Sequence, residues 1–148
     1  MLVEPEIPGN TGTIGRLCVG LEASLTLVQP LGFSLEDKYL KRAGLDYWPN
    51  LVWRTMPSLD ALLEEVSDFG RFYFFTTKSD IPYTRGRYRL GDFLVFGKET
   101  KGLPEPLLET HADRALTIPM FGKTRSINLA VSVGIVAYEA MRQIKDGF

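Results

Sequence analysis

Little in this sequence can hold a metal or form a disulfide. Its 148 residues include one cysteine, Cys18, and one histidine, His111. A single thiol cannot close an intrachain disulfide, and with one imidazole it falls short of the typically three or four nitrogen and sulfur ligands of a zinc site. Long hydrophobic runs are missing too. The longest nearly apolar stretch, around Leu129 to Tyr138, is far below the roughly 20 residues of a membrane span. The N-terminus has no basic, apolar, small-residue targeting pattern, so the chain is expected to act in the cytoplasm without a membrane partner. An excess of one charge sign is also absent. With 17 Lys and Arg against 18 Asp and Glu, the net charge is −1. That argues against holding nucleic acid by bulk charge and leaves only local basic patches for the purpose.

What is present, 45% hydrophobic and 24% charged residues, describes one globular domain over residues 1–148. A chain of this size hides roughly 68 to 70% of its unfolded surface, enough for a core without staples. Apolar, β-branched and aromatic runs alternate with helical patterns from end to end. The alternation predicts an α/β fold, a mainly parallel sheet with helices on both faces. Strands are expected at Leu2–Val3, Leu25–Val28, Leu51–Arg54, Arg71–Thr76, Phe93–Phe96 and Ala115–Ile118, and helices over 11–22, 36–43, 58–67, 105–110 and 126–145.

In the first helix Ile14, Leu17, Cys18 and Leu21 fall on one stripe, with Arg16 opposite. Cys18 therefore reads as a small buried hydrophobe and not as a nucleophile. Ser58 is placed to cap the helix that carries Leu59, Leu62, Leu63 and Val66 on its apolar face. The last helix has an apolar stripe of Leu129, Val133, Val136, Ala140 and Ile144, yet Ala130, Ala137 and Met141 make its other sides apolar too. Such a helix must be buried on several sides, within the domain or against a second subunit. The loop from Lys78 to Arg89, with Pro82, Gly86 and three arginines, is the most linker-like piece and short enough to be a surface loop.

Two nucleotide motifs fail on their spacing. Gly9, Gly12 and Gly15 do not form G-x-G-x-x-G, which removes a Rossmann site. Gly97 and Gly102 follow a strand as P-loop glycines do, but Leu103 stands where the P-loop needs lysine. What remains is a glycine-bounded loop at the C-terminal end of a strand, where open α/β sheets bind ligands. Arg16 lies one turn beyond Pro8-Gly9-Asn10-Thr11-Gly12, and a tight turn there would aim the helix start at a phosphate within its reach. Ser126 and Asn128 are either an N-cap and a first-turn polar residue, or substrate contacts beside free N–H groups. The spacing leaves both open. Tyr47 and Trp48 can stack a base or simply pack half-buried, and His111 is assigned no catalytic role.

Three blocks taken together carry a resemblance. Glu4-Pro5-Glu6-Ile7-Pro8-Gly9-Asn10-Thr11-Gly12, continuing to Arg16-Leu17-Cys18, is the first; Leu94-Val95-Phe96-Gly97-Lys98-Glu99-Thr100-Lys101-Gly102-Leu103-Pro104 is the second. The third joins Ile118-Pro119-Met120, Arg125-Ser126-Ile127-Asn128-Leu129 and Tyr138-Glu139-Ala140. In that order, with Pro30-Leu31-Gly32-Phe33 and Lys41-Arg42-Ala43-Gly44-Leu45-Asp46-Tyr47 between them, they resemble the TrmL (YibK-like) branch of the SPOUT RNA methyltransferases over nearly the whole chain. Two departures stand out: only Met1 to Val3 precede Glu4-Pro5 where the branch has a longer strand, and Ala130-Val131 replace a common Ser-Asn.

The resemblance implies a SPOUT-type domain with a deep C-terminal trefoil knot, an S-adenosyl-L-methionine site formed by the knot loops, and a homodimer with its active site at the subunit boundary. It implies no metal. Its substrate would be tRNA, methylated on the 2′-oxygen of the wobble cytidine or modified uridine in leucine tRNAs. Carried over by position, the methyl-donor site would use Phe75, Thr76 and Thr77, then Gly97, Glu99 and Gly102, then Ile118, Met120, Ser126 and Leu129. Arg16 would be catalytic, with Asn10, Ser126 and Asn128 beside it. Other classes considered are a SPOUT enzyme for another RNA, a non-catalytic RNA- or S-adenosylmethionine-binding module, and a flavodoxin-like nucleotide binder.

Overall fold

Leu25, Thr26, Leu27 and Val28 are all buried, as in a strand with a neighbour on each side and cover on each face. The structure, a computed structural model, describes residues 1–36, 38, 42, 46–66, 68 and 71–146. It places this strand, β2 (Leu25–Val28), in the first of two compact units, Met1–Ser67. There β2 pairs in parallel with β1 (Leu2–Val3), Leu2 against Leu27, and with β3 (Trp53–Met56), Leu25 against Trp53. β3 exposes Arg54 and Thr55. It begins two residues later than the expected Leu51 because a 3₁₀ turn at Trp48–Asn50 comes first, the Leu51 amide donating back to the Trp48 carbonyl at 3.1 Å.

Helix α1 (Pro8–Gly20) starts three residues earlier than expected. Proline suits the first helical position, where its missing N–H would be unpaired anyway, so Pro8 to Gly12 is helix and not the expected tight turn. The helix closes at Gly20 and not at residue 22: the Leu21 and Ala23 amides donate back to carbonyls of Leu17 and Cys18, and Glu22 takes a φ of 55°. Gly15 explains part of the glycine spacing. A Cβ there would lie 2.9 Å from the Trp48 ring and 3.2 Å from Leu51, so the missing side chain lets the 3₁₀ turn pack on α1. Ile14 and Cys18 face the core as expected, and burial pushes the Cys18 thiol up in pKa, away from nucleophilic use. Helix α2 (Leu59–Glu65) is shorter than the expected 58–67; its Ser58 Oγ accepts from the Ala61 amide at 3.1 Å, and Leu62 is fully buried. The helix expected over 36–43 lies largely outside the described residues.

The second unit, Asp68–Phe148, has the strand order β5-β4-β6. β4 (Phe72–Phe75) is buried throughout and pairs in parallel with β5 (Phe93–Phe96) and β6 (Ala115–Leu116). Opposed aromatic residues join the strands: Phe72 stacks on Phe93 at 4.8 Å and Phe75 on Phe96 at 4.7 Å between ring centres. Phe72, Phe75 and Phe96, the buried rings of the four, each contribute roughly 1.5 to 3 kcal/mol by leaving water. β4 is shorter than the expected Arg71–Thr76, and β6 stops at Leu116 instead of Ile118. Thr117 pairs elsewhere, accepting from the Tyr83 amide and donating to the Ile81 carbonyl, both at 2.8 Å.

Helix α3 (Glu105–Thr110) matches its expected bounds. Helix α4 (Leu129–Ile144) starts three residues after the expected Ser126 because Asn128 is the cap: its Oδ1 accepts from the amides of Ala130 at 2.8 Å and Val131 at 3.3 Å. Val133, Val136 and Ala140 are buried, whereas Val131 and Tyr138, on another side, are 51% and 50% exposed. Among the described residues no helix is long and apolar enough to cross a membrane.

Candidate functional site

The last residues of the three strands of the second unit lie level with one another. Phe75 is in register with Phe96 on one side and with Leu116 on the other. Because all three strands run in parallel, the loops that follow them leave one edge together, the C-terminal edge at which open α/β sheets bind ligands. Every residue that the resemblance assigns to the methyl donor lies on those loops or at their ends.

The loop after β4 begins with Thr76 to Lys78. The Thr76 amide donates to the Leu116 carbonyl at 2.9 Å, and its Oγ1 accepts from the Lys78 amide at 3.1 Å. Phe75 buries its ring against Phe96, so its main chain is what it can offer a ligand, while Thr77 is exposed. Lys78 forms a hydrogen-bonded ion pair with Glu105, which holds that carboxyl below the usual carboxylate range. The pair ties this loop to the first residue of α3.

The loop after β5 folds back on itself. The Gly102 amide donates to the Lys98 carbonyl at 2.9 Å, and a Cβ on Gly97 would lie 2.1 Å from the Gly102 carbonyl carbon and 2.2 Å from the Leu103 nitrogen. No side chain fits there. Gly102 has a φ of +68°, a left-handed conformation that glycine adopts without strain, and the space beside its α-carbon is open. A ligand can thus approach the main chain of the hairpin, Glu99 is half-buried beside it in sequence, and Leu103 anchors the end in the core.

The loop after β6 contributes Ile118 and Met120, both half-buried, which can flank a flat aromatic base. Ser126 is exposed, and its carbonyl accepts from Thr124 Oγ1 at 2.8 Å. The open question between cap and contact resolves differently for the two residues. Asn128 caps α4 and Ser126 does not, and Leu129 begins the helix, half-buried. Glycine main chain, apolar faces and level loops suit an adenosine-bearing ligand. Among the described residues no group of three or more His, Cys, Asp and Glu side chains is arranged to hold a metal ion.

Asn10 and Arg16 belong to the first unit. Both are on α1, six residues apart, which is about 240° around the helix and about 9 Å along it. Asn10 is accordingly buried while Arg16 is exposed; α1 does not bring them to one face. Arg16 Nη2 donates to Tyr47 Oη at 3.0 Å, and its Cζ lies 4.4 Å from the centre of the Tyr47 ring. Sequence reasoning offered base stacking or plain packing for Tyr47 and missed this partnership. Its only sequence signal is the Lys41 to Tyr47 block that carries part of the resemblance.

A basic edge completes the picture. From Arg85 to Arg89 burial alternates, with Gly86 and Tyr88 buried and Arg85, Arg87 and Arg89 exposed. The main chain of this segment is not linker-like: the Tyr88 amide donates to Gln143 Oε1 at 3.0 Å, and Tyr73 Oη donates to the Arg87 carbonyl at 2.9 Å. Among the described residues no carboxylate forms an ion pair with these three guanidinium groups, although Asp92 Oδ2 accepts from the Arg89 amide at 2.7 Å.

Known proteins resemble this chain in sequence and in fold. The model of the SpoU rRNA methylase family matches residues 1–138. A protein of Listeria monocytogenes serotype 4b, provisionally named a tRNA (cytidine(34)-2′-O)-methyltransferase, is 47% identical over 148 residues, covering 97% of this chain and 86% of that protein. A Photorhabdus asymbiotica protein named a tRNA (cytidine(34)-2′-O)-methyltransferase is 42% identical over 149 residues, covering 97% and 92%. A solved structure concerned with the 2-OH methylation of C/U34 on tRNA superposes with a TM-score of 0.93 at 45% identity, covering 98% of this chain and 94% of that one.

Proposed function

The chain belongs to the SpoU rRNA methylase family, and we propose that it transfers a methyl group from S-adenosylmethionine to the ribose 2′-oxygen of the wobble nucleotide of tRNA. The observation that supports this most directly is the level edge of β5, β4 and β6 with its Gly97 to Gly102 hairpin, joined to relatives that carry this activity in their names. Residues 1–148 work as one methyltransferase domain in the cytoplasm, with a knotted C-terminal half. Leucine tRNAs are the first substrates to test, from the resemblance alone.

S-adenosylmethionine supplies an electrophilic methyl carbon on a sulfonium. Gly97, Glu99, Gly102 and the main chain at Phe75, Thr76 and Thr77 would hold the polar edge of its adenine, Ile118 and Met120 would cover the faces, and Ser126 and Leu129 would complete the site. The 2′-oxygen must lie in line behind the methyl carbon, and alignment of that kind supplies much of the rate. Arg16 is a poor base, because its guanidinium offers five N–H donors and no acceptor atom. Its task is to hold the neighbouring phosphate and stabilise charge growing on the 2′-oxygen, with the exposed Ser126 contacting substrate, while Asn128 serves as the cap of α4 and Asn10 is buried on another side of α1.

The protein works as a homodimer with its active site at the subunit boundary. The apolar side of α4 bearing the exposed Val131 and Tyr138 supports this, since one chain covers only the opposite side of that helix. Arg85, Arg87 and Arg89 line the RNA. The test is mass-spectrometric mapping of native and unmodified tRNA pools after incubation with the protein and S-adenosylmethionine. A new 2′-O-methyl group at the wobble nucleotide, absent with Arg16→Ala, is expected. Folded, dimeric protein that methylates neither pool would overturn the proposal.

A further inference from the structure

Tyr47 is the residue that holds Arg16. Its two interactions act on different parts of the guanidinium: the phenol oxygen takes one N–H, and the ring underlies the central carbon. Tyr47 is itself held by the turn that follows it. The Asn50 amide donates to the Tyr47 carbonyl at 2.9 Å, and Trp48 lies against α1 at Gly15, one residue before Arg16. Trp48 also meets Trp53 of β3, ring centres 5.3 Å apart at 54°. The partner of Arg16 is thereby fixed to the same helix that carries Arg16.

An arginine has five N–H donors, and Tyr47 engages one nitrogen. No carboxylate pairs with Arg16 among the described residues, so its charge is left for an anion. A long side chain ordered before the substrate arrives has less freedom to lose when it binds. A neutral aromatic partner gives this order without cancelling the charge, as a carboxylate would.

We infer that Tyr47 is a positioning residue for the methyl transfer, holding the Arg16 guanidinium in the orientation in which it meets the substrate phosphate and the reacting 2′-oxygen. This rests on the role given to Arg16 under the proposed function. Tyr47 touches no reacting atom; it acts through Arg16.

The test is a double-mutant cycle on the full-length protein with tRNA and S-adenosylmethionine. Tyr47→Leu is expected to lower kcat about tenfold with KM for tRNA and donor affinity within about twofold, and Tyr47→Phe, which keeps the ring, to recover to within about threefold of the parent. In an Arg16→Ala background, measured with excess enzyme, Tyr47→Leu is expected to cost less than about twofold. Arg16→Ala inactive but Tyr47→Leu fully active overturns the positioning role and leaves the assignment of Arg16 intact. The same tenfold loss in both backgrounds overturns it too, since Tyr47 would then act by another route. Full activity of Arg16→Ala overturns the assignment of Arg16 itself. If Tyr47→Leu does not fold, the decision passes to Tyr47→Phe and the Arg16 Nη2–H resonance, the proton that Tyr47 Oη accepts. Loss of its protection from exchange on removing the phenol oxygen supports the role, and an unchanged resonance with unchanged kcat overturns it.

Discussion

The two units offer chemistry by different means. In Met1–Ser67 the candidate group is a side chain, Arg16, on the exposed face of α1, with one half-buried partner in Tyr47. In Asp68–Phe148 the candidate groups are mostly main chain, displayed by loops whose positions follow from strand register, aromatic stacking and the fit of Gly97 against Gly102 and Leu103. A side chain on a helix surface can be removed without moving the fold. A glycine hairpin cannot be altered without moving the loop that it shapes, so binding and stability are expected to fail together in the second unit and separately in the first.

Gly97→Ala is the most severe way to break that contrast. The new methyl would sit 2.1 Å from a carbonyl carbon, and main chain cannot swing aside as a flexible side chain can. A loss of about 2 to 4 kcal/mol in denaturant unfolding is expected, with donor affinity by calorimetry falling by about a hundredfold. Parent-like stability and affinity would mean the hairpin is not what shapes the site. Gly102→Ala is expected to cost less, about 1 to 2 kcal/mol, because only its left-handed conformation is penalised and its surroundings are open.

Arg16→Ala probes the other side. Its kcat is expected to fall by about 100 to 1,000-fold, the cost of removing one transition-state donor. Stability is expected to stay within about 0.5 kcal/mol, as for most surface changes. A matching loss of stability would erase the distinction between the units. The arginine edge sharpens it further: replacing Arg85, Arg87 and Arg89 with glutamine is expected to lower the slope of log affinity for tRNA against log salt by about two to three, one for each phosphate that is no longer neutralised. Donor affinity should not change. An unchanged salt slope would place the RNA elsewhere.

The sequence made the core of this fold readable where short-range rules act alone. Leu25–Val28 and Phe93–Phe96 stand out as apolar strands, and residues 105–110 as a helix between breakers. It misled where a neighbour decided the outcome. Pro8 to Gly12 reads as a turn from its glycines, but packing against the Trp48 turn tolerates Gly15 in a helix. Ser126 looks like the cap of α4 until the Asn128 carboxamide receives two amides. For the site, the glycine hairpin after a strand was visible as a ligand loop, because glycine spacing and strand ends are local features. The Tyr47 contact to Arg16 spans 31 residues, and the level ends of three strands need the register of two pairings. Neither follows from periodicity.

The smallest expected effect concerns how the arginine edge is anchored. Glu139 on α4 accepts from Arg142 Nε and Nη2, both at 2.9 Å, and from Gln143 Nε2 at 2.8 Å. Gln143 in turn accepts from the Tyr88 amide in the middle of the arginine segment. The hydrogen bond from Arg142, aided by that from Gln143, holds the Glu139 carboxyl below the usual carboxylate range. A carboxyl with a depressed folded-state pKa stabilises the fold above its unfolded value, about 4.3, and that stabilisation is lost as pH falls through the lower folded-state value. Arg142 is largely in solvent, so the expected effect is small. Glu139→Gln should lower Tm on the order of 1 °C at pH 7, with the gap closing below about pH 4. Tyr88 amide exchange should quicken in the variant at pH 7, while the Thr76 amide, held by Leu116 across the sheet, should not change. A Tm gap that persists in acid would show that packing, and not charge, links α4 to the arginine edge.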